Sequence, residues 1–455
     1  MKSGSRRKSI YLNTHTRDSS VNRITPVLKT SRTKSSQFAF PVKSNDSDID
    51  YSEKNKATLV QSNENRQITL KLPLKPKLSR PSSKNSPFVS SVKITDFNRI
   101  NQQIFIHETT EEIVKLPICP EKAKTFFEKY LSEYEQNEIM QYKEIFYVCK
   151  VPKLETTEFD DEKHNLILYK EDHIAYRYEI KKLLGAGSFS QVYEAYDWKI
   201  KENVAIKVIR NKEKLHKQAK IEVSILKFIK EKSEGLPLVE VLNYFSFRSH
   251  ACIIFKLLGP PLICLNQKLL DILKYSYDIL SSLSFLHSYN IIHCDLKPSN
   301  ILISNLEKAV LIDLGTSCIK RDQIYKYIQS RSYRAPEIVF RINYTEKIDM
   351  WSFGCILYEM CTGKILFKCE DEKDLINCIS KVLGKPNEKL YLMSENYKSF
   401  SRFIQRKALT SIEELMVGVD EKLIEIVDMC LMWDSNKRLS SAEALYLVEN
   451  MLKKI

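Results

Sequence analysis

Ile291-Ile292-His293-Cys294-Asp295-Leu296-Lys297-Pro298-Ser299-Asn300-Ile301-Leu302 sets a buried run, a polar loop and a second buried run end to end. That pattern brings Asp295, Lys297 and Asn300 to one mouth. Asp295 can accept a hydroxyl proton, Lys297 can steady a terminal phosphate, and Asn300 can hold a divalent ion. Thirteen residues after Asn300 comes Leu311-Ile312-Asp313-Leu314-Gly315, where Asp313 can chelate Mg2+ against a nucleotide. Ala335-Pro336-Glu337 and Asp349-Met350-Trp351-Ser352-Phe353-Gly354 follow in order.

Upstream, Gly185-Ala186-Gly187-Ser188-Phe189-Ser190-Gln191-Val192 follows an apolar strand. The chain has only 10 glycines in 455 residues, and two of them stand here. Glycine lets a strand-turn-strand bend tightly and lets backbone N–H groups approach phosphate oxygens. Val204-Ala205-Ile206-Lys207 comes next. Asn203 to Ile209 alternates, with Ala205, Lys207 and Ile209 on one face and Val204, Ile206 and Val208 on the other. A lysine inside an apolar strand needs a partner. Glu222 is the candidate, on a helix where Ile221, Ile225 and Leu226 supply apolar contacts. Phosphoryl transfer depends on positioning and charge neutralisation more than on covalent chemistry, and this set offers both.

Composition bounds the rest. At 43% hydrophobic and 10% aromatic residues, the chain can bury a sizeable core. No apolar run reaches the ~18 residues of a membrane span; the best attempt, Ala251 to Leu265, is broken by Lys256 and Pro260-Pro261. Met1 to Ile10 is basic with no apolar stretch behind it, unlike a secretory signal. Net charge is +14, and residues 1–100 carry 20 Lys+Arg against 7 Asp+Glu, with 26 Ser+Thr. The remainder is near neutral, which argues against a nucleic-acid-binding face on the folded part. The 11 cysteines include no C-x-x-C pair, so reduced thiols in a cytoplasmic or nuclear protein are expected.

Three regions are expected: a disordered basic tail over 1–105, an accessory region over 106–177, and a catalytic domain over 178–455. In the tail, Arg6-Arg7-Lys8 has the composition of a nuclear-import or acidic-partner signal. In the accessory region, Ala123, Phe126, Phe127, Tyr130, Leu131 and Tyr134 recur as one face of a helix. Tyr142 to Cys149 reads as a strand. From Tyr178 the texture is β-rich, and beyond about 265 helical, with Ile279, Leu280, Leu283 and Leu286 on one apolar face. The fold class is α+β: a small β-rich lobe followed by a larger helical lobe.

In order and spacing, these motifs resemble the eukaryotic protein kinase signature set. His293-Cys294-Asp295 and Ile324-Tyr325-Lys326-Tyr327-Ile328-Gln329-Ser330-Arg331 are similar to the dual-specificity tyrosine-regulated kinases of the CMGC group. Asp172-His173-Ile174-Ala175-Tyr176-Arg177-Tyr178-Glu179 resembles the lead-in of the class 2 members. Phe159-Asp160-Asp161 resembles their acidic DH box, and Pro120 to Ile145 their autophosphorylation accessory region.

The resemblance implies a bilobal kinase using ATP and Mg2+. Leu184, Gly185–Val192, Ala205, Lys207, Glu222, the gatekeeper-like Phe255, Leu257 and Leu258 would bind ATP. Asp295 and Lys297 would be catalytic, and Asn300 and Asp313 would hold metal. Tyr327 would be autophosphorylated, with Arg331 and Arg334 pairing with its phosphate. The expected partners are protein substrates, with Ser or Thr before proline as acceptor, for a monomer that engages no membrane. Thr25-Pro26 and Ser86-Pro87 are candidate tail sites. Four positions depart from the pattern. Ser190 replaces a third loop glycine, Leu314 replaces Phe, Lys256 replaces a hinge acid, and Ser299 replaces Glu. Two other readings stay open: a non-catalytic scaffold, separated by a phosphate-transfer assay, and a neighbouring kinase group, separated by deleting residues 105–150.

Overall fold

Alternating apolar residues between His173 and Lys256 build a six-stranded antiparallel sheet in the computed structural model of the chain. The structure describes residues 104–106, 113–151, 156–264, 267–319, 327–391, 394 and 396–455. Arg6-Arg7-Lys8, Thr25, Ser86 and Tyr325 lie outside the described residues.

The first elements are the hairpin of β1 (Ile104–Ile106) and β2 (Ile113–Lys115), then α1 (Pro120–Phe126) and α2 (Glu133–Glu138). The single helix expected across Ala123–Tyr134 is broken in two by a short 3₁₀ turn. The cause is local. The Ser132 hydroxyl accepts from the Glu135 N–H, and the Glu135 carboxylate accepts from the Ser132 N–H, a capping box that starts a new helix. Ala123, Phe127 and Leu131 are nonetheless buried, with Ile139, Ile145 and Tyr176. The expected strand over Tyr142–Cys149 does not form. Its one bridge joins Ile145 to Ile118, while the Phe146 and Tyr147 N–H groups both donate to the Tyr176 carbonyl.

The sheet contains β3 (His173–Ile174), β4 (Tyr178–Ala186), β5 (Ser190–Asp197) and β6 (Glu202–Ile209). After α3 (Glu213–Lys232) come β7 (Val241–Phe247) and β8 (His250–Lys256), giving the spatial order β3-β4-β5-β6-β8-β7. Val204, Ile206 and Val208 enter the sheet's core with Ile180, Tyr193 and Ile254, as their alternation predicts. On α3, Ile225 and Leu226 are buried, but Ile221 is exposed; Val223 and Ile229 are further buried apolar residues of that helix. The accessory segment is fastened to the sheet by charge. Arg248, at the β7–β8 turn, donates to the Glu138 carboxylate at 2.8 and 3.0 Å and to Glu135 at 3.0 Å.

The helical lobe starts with α4 (Leu269–Ser288), whose Ile279, Leu280, Leu283 and Leu286 are fully buried. Short strands β9 (Ile291–Ile292), β10 (Ile301–Ile303), β11 (Ala309–Leu311) and β12 (Cys318–Ile319) then bracket the polar loops. β10 pairs with β11, and β9 with β12. The lobe is completed by α5 (Pro336–Val339), α6 (Lys347–Thr362), α7 (Glu372–Leu383), α8 (Tyr397–Phe400), α9 (Ile412–Leu415), α10 (Glu421–Cys430) and α11 (Ser441–Leu452). α6 runs through the centre and meets α10 at Gly354. A Cβ at Gly354 would stand 2.7 Å from the Cys430 Cβ, so only glycine allows this approach. Glu337 and Arg438 form a buried two-pronged pair, at 2.6 and 2.7 Å. None of the 11 cysteines forms a disulfide. No helix among the described residues is long and apolar enough to cross a membrane.

Candidate active site

The β4–β5 hairpin carries the glycine-rich segment. Gly185 pairs with Val192 and Ala186 with Gln191, and the Gly187 N–H closes the turn on the Ser190 carbonyl at 2.9 Å. Leu184 to Phe189 are exposed, and a Cβ at Gly185 would meet open space. Ser190 is buried and pairs with Ile209, so its side chain is accommodated at the strand start. Ala205 lies directly between Glu194 and Phe255 in the sheet, and half-buried Leu257 and Leu258 follow at the end of β8. Lys256 is exposed.

Lys207 stands opposite Val192 on β6 and points to two carboxylates. Its Nζ donates to Glu222 Oε1 at 2.7 Å and to Asp313 Oδ1 at 2.8 Å. Burial alone would push the ammonium down, but the Glu222 and Asp313 charges outweigh it and hold Lys207 above its ordinary value. Asp313 is held down to about 2, first by the Lys207 charge and against partial burial. Its side chain keeps 41% exposure, so it faces solvent on one side. A depressed carboxyl contributes stability above its unfolded value of 3.8, and that contribution is lost as pH falls through about 2. Asp313 is therefore ionised at any pH above about 4.

Asp313 adopts a left-handed backbone (φ 60°), and Gly315 follows two residues on. A Cβ on Gly315 would lie 2.9 Å from Lys207 Nζ and 3.1 Å from both Asp313 Oδ1 and Glu222 Oε2. Gly315→Ala is expected to push the ammonium off its two partners. Initial rates should fall roughly ten- to a hundredfold, the scale of a misplacement of about 1 Å, with a nearly unchanged thermal midpoint. Unchanged rates would show that the cluster tolerates the displacement.

Below this cluster, Asp295 sits in a network of its own. Lys297 Nζ donates to Asp295 Oδ2 at 2.6 Å and to Ser330 Oγ at 3.1 Å, and Ser330 Oγ donates to Asp295 Oδ1 at 2.8 Å. The Asn300 amide nitrogen donates to the Asp295 carbonyl at 2.8 Å, which turns its oxygen away from that carbonyl. The Ile312 N–H donates to the Asn300 carbonyl at 3.0 Å, so the segments bearing Asn300 and Asp313 are adjacent. His293 accepts the Asp295 N–H at Nδ1, 3.3 Å, and donates from Nε2 to the Ile312 carbonyl, 3.0 Å.

Two further residues hold this geometry and carried no assigned role in the sequence. Asp349, fully buried on α6, accepts the His293 N–H at 2.8 Å and the Cys294 N–H at 3.0 Å. It thereby fixes Cys294 in a left-handed backbone (φ 68°) that a side chain disfavours. Ser330 joins the stretch that carries Tyr327 and Arg331 to Asp295 and Lys297. The signal for Asp349 was its place at the head of the Asp349–Gly354 motif; for Ser330 there was none.

Tyr327 is 59% exposed, with the Arg334 guanidinium 4.0 Å from its ring centre. Arg334 also donates to Glu372 at 3.0 Å and to the Gln329 carbonyl at 2.8 Å. Arg331 is turned the other way, onto the Glu370 carbonyl.

The chain matches the protein kinase domain family over residues 178–447. It is 36% identical to dual specificity tyrosine-phosphorylation-regulated kinase 3 of Rattus norvegicus over 379 residues, 72% of this chain and 65% of the rat protein. Against kinase 3 of Homo sapiens it is 36% identical over 80% of this chain and 70% of that protein. Against human kinase 4 of the same series it is 34% identical over 79% and 74%. The chain thus spans slightly less than two thirds of the length of its rat relative. A kinase-domain match of this extent, carried on a Lys207–Glu222–Asp313 cluster beside Asp295, places the chain in the dual specificity tyrosine-phosphorylation-regulated kinase family.

Proposed function

We propose that this chain is an active kinase that phosphorylates Ser or Thr in proteins, next to proline, and phosphorylates its own Tyr327 during maturation. The observation that carries the reading is the closed state of both charge networks: Lys207 holds Glu222 and Asp313, and Lys297 holds Asp295. The family implies ATP with Mg2+ as phosphate donor, and the residues fit that pair. Asp313 is ionised, the Asn300 oxygen is turned away from the Asp295 carbonyl, and the glycine-rich turn leaves open space at Gly185. Bound MgATP would supply the phosphoryl group and the divalent charge that neutralises its oxygens. Lys207 and the backbone of Gly185–Val192 would hold its phosphates, lined by Leu184, Ala205, Phe255, Leu257 and Leu258. Asn300 and Asp313 would hold the metal. Asp295 would take the acceptor's hydroxyl proton, and Lys297 would offset the charge on the acceptor side.

The proline preference rests on Gln329. Its backbone is left-handed (φ 65°), and its carbonyl accepts from Arg334 Nη2 at 2.8 Å. That carbonyl is committed inside the protein and offers nothing to a substrate N–H at this place. Proline has no N–H to leave unsatisfied. An oriented peptide library should show proline enriched immediately after the acceptor; no enrichment removes the assignment.

Tyr327 is exposed and free to enter an active site before maturation. Once phosphorylated, it would draw on Arg334, already against the ring, and on Arg331, after release from Glu370. Mass spectrometry of protein made in a bacterial host is expected to find phosphate on Tyr327 in the wild type and none in Asp295→Asn. Phosphate on Tyr327 of the Asp295→Asn protein would assign the modification to another enzyme.

A further inference from the structure

The glycine-rich turn is tied from outside, and the tie leads back to the accessory region. Asp161 accepts the Lys163 and Asn165 N–H groups, each at 2.8 Å, and also the Asn165 side-chain nitrogen at 2.8 Å. With its nitrogen so placed, buried Asn165 must aim its oxygen the other way, and that oxygen accepts Arg210 Nε at 2.8 Å. Arg210 then reaches past the end of β6 and donates from Nη2 to the Gly187 carbonyl at 2.9 Å. The Arg210 N–H meanwhile donates to the Phe189 carbonyl at 3.0 Å. Two carbonyls of the turn are thus held by one residue. The accessory turn is itself anchored: Asn211 donates from its N–H to the His164 carbonyl at 2.9 Å and from Nδ2 to Asp160 at 3.0 Å.

We infer that Arg210 is a positioning residue for the nucleotide-covering turn, aimed by the Asp161–Asn165 pair of the accessory region. A turn with two glycines spends much of its time in unproductive shapes, and apparent affinity falls with the competent fraction. Here the third glycine is Ser190, and the guanidinium on Gly187 adds a charge-assisted bond that narrows the ensemble. The guanidinium also brings a positive charge to the turn proposed to cover phosphate. The inference rests on the nucleotide reading of Gly185–Val192, but the tether is a property of the protein alone.

Two readouts on the full chain test it: hydrogen exchange of residues 185–191 without nucleotide, and calorimetric binding of a nonhydrolysable ATP analogue with Mg2+. Arg210→Met is expected to speed exchange in the turn and to weaken analogue binding about fivefold, with exchange in α4 unchanged as the control for folding. In turnover, the loss should fall on KM for ATP rather than on kcat. Asn165→Ala should shift both readouts the same way by less, and the double variant should go no further than Arg210→Met. Arg210→Lys should recover part of the binding. Wild-type exchange and affinity in Arg210→Met, or losses that add in the double variant, would overturn the inference. A wild type that binds no analogue would instead overturn the kinase reading, with the exchange comparison still deciding the tether.

Discussion

Lys207→Met is expected to lower phosphate transfer by about three orders of magnitude while the protein stays folded. Such losses are the usual scale when a charge aligned with the reacting phosphate is removed from a buried site. The structure adds a reason specific to this chain. Lys207 is the joint between the sheet, through β6, the helix α3, through Glu222, and the loop between β11 and β12, through Asp313. Methionine keeps the stem and removes all of these bonds. Glu222, whose carboxyl burial already pushes up, can then take a proton rather than remain a bare buried anion. The folded state should therefore survive. Phosphate incorporation into a generic substrate, measured beside a thermal melt, checks both halves. A folded Lys207→Met protein with near wild-type rate would remove this cluster from the mechanism.

Arg438→Ala should produce the largest loss of stability. Its guanidinium is fully buried, doubly bonded to Glu337, and donates further to the Lys347 and Met432 carbonyls at 3.1 and 2.8 Å. It also lies 4.9 Å from the centre of the Trp351 ring. Removing one member of a buried ion pair typically costs about 3–5 kcal/mol, because the other charge is left without compensation. For a domain of this size that corresponds to a fall of roughly 4–9 °C in the thermal midpoint. Glu337→Gln should lose less, since the amide still accepts one bond. A midpoint within about 2 °C of wild type in Arg438→Ala would show that the pair is not what joins α5 to the segment before α11.

Much of this was legible in the chain because the relevant signals are local. The strand alternation at Asn203–Ile209 fixed which side Val204, Ile206 and Val208 bury, and a lone lysine in that strand announced its need for a carboxylate. The Asp295, Lys297 and Asn300 spacing survives as a network because all three sit in one loop between two buried strands. What the chain concealed depends on contacts far apart in sequence or on competing local chemistry. Glu135 reads as an ordinary surface helix residue, yet it both caps α2 and meets Arg248, 113 positions away. Ile221 fits an apolar face by spacing, but α3 turns that position to solvent. Asp349 looked like part of a motif and proves to be the acceptor that holds the His293–Cys294 backbone. Arg210 carried no motif at all.

The role proposed for the Asp295 network is to transfer phosphate rather than merely to bind nucleotide. The most direct measurement follows transfer from radiolabelled MgATP to a Ser/Thr-Pro protein substrate by purified full chain, with Asp295→Asn in parallel and nucleotide binding measured on both. The expected result is steady transfer by the wild type, a loss of at least about a thousandfold in Asp295→Asn, and comparable nucleotide binding by the two. Wild-type protein that binds MgATP yet transfers no more phosphate than Asp295→Asn would contradict it and leave a nucleotide-binding scaffold in its place.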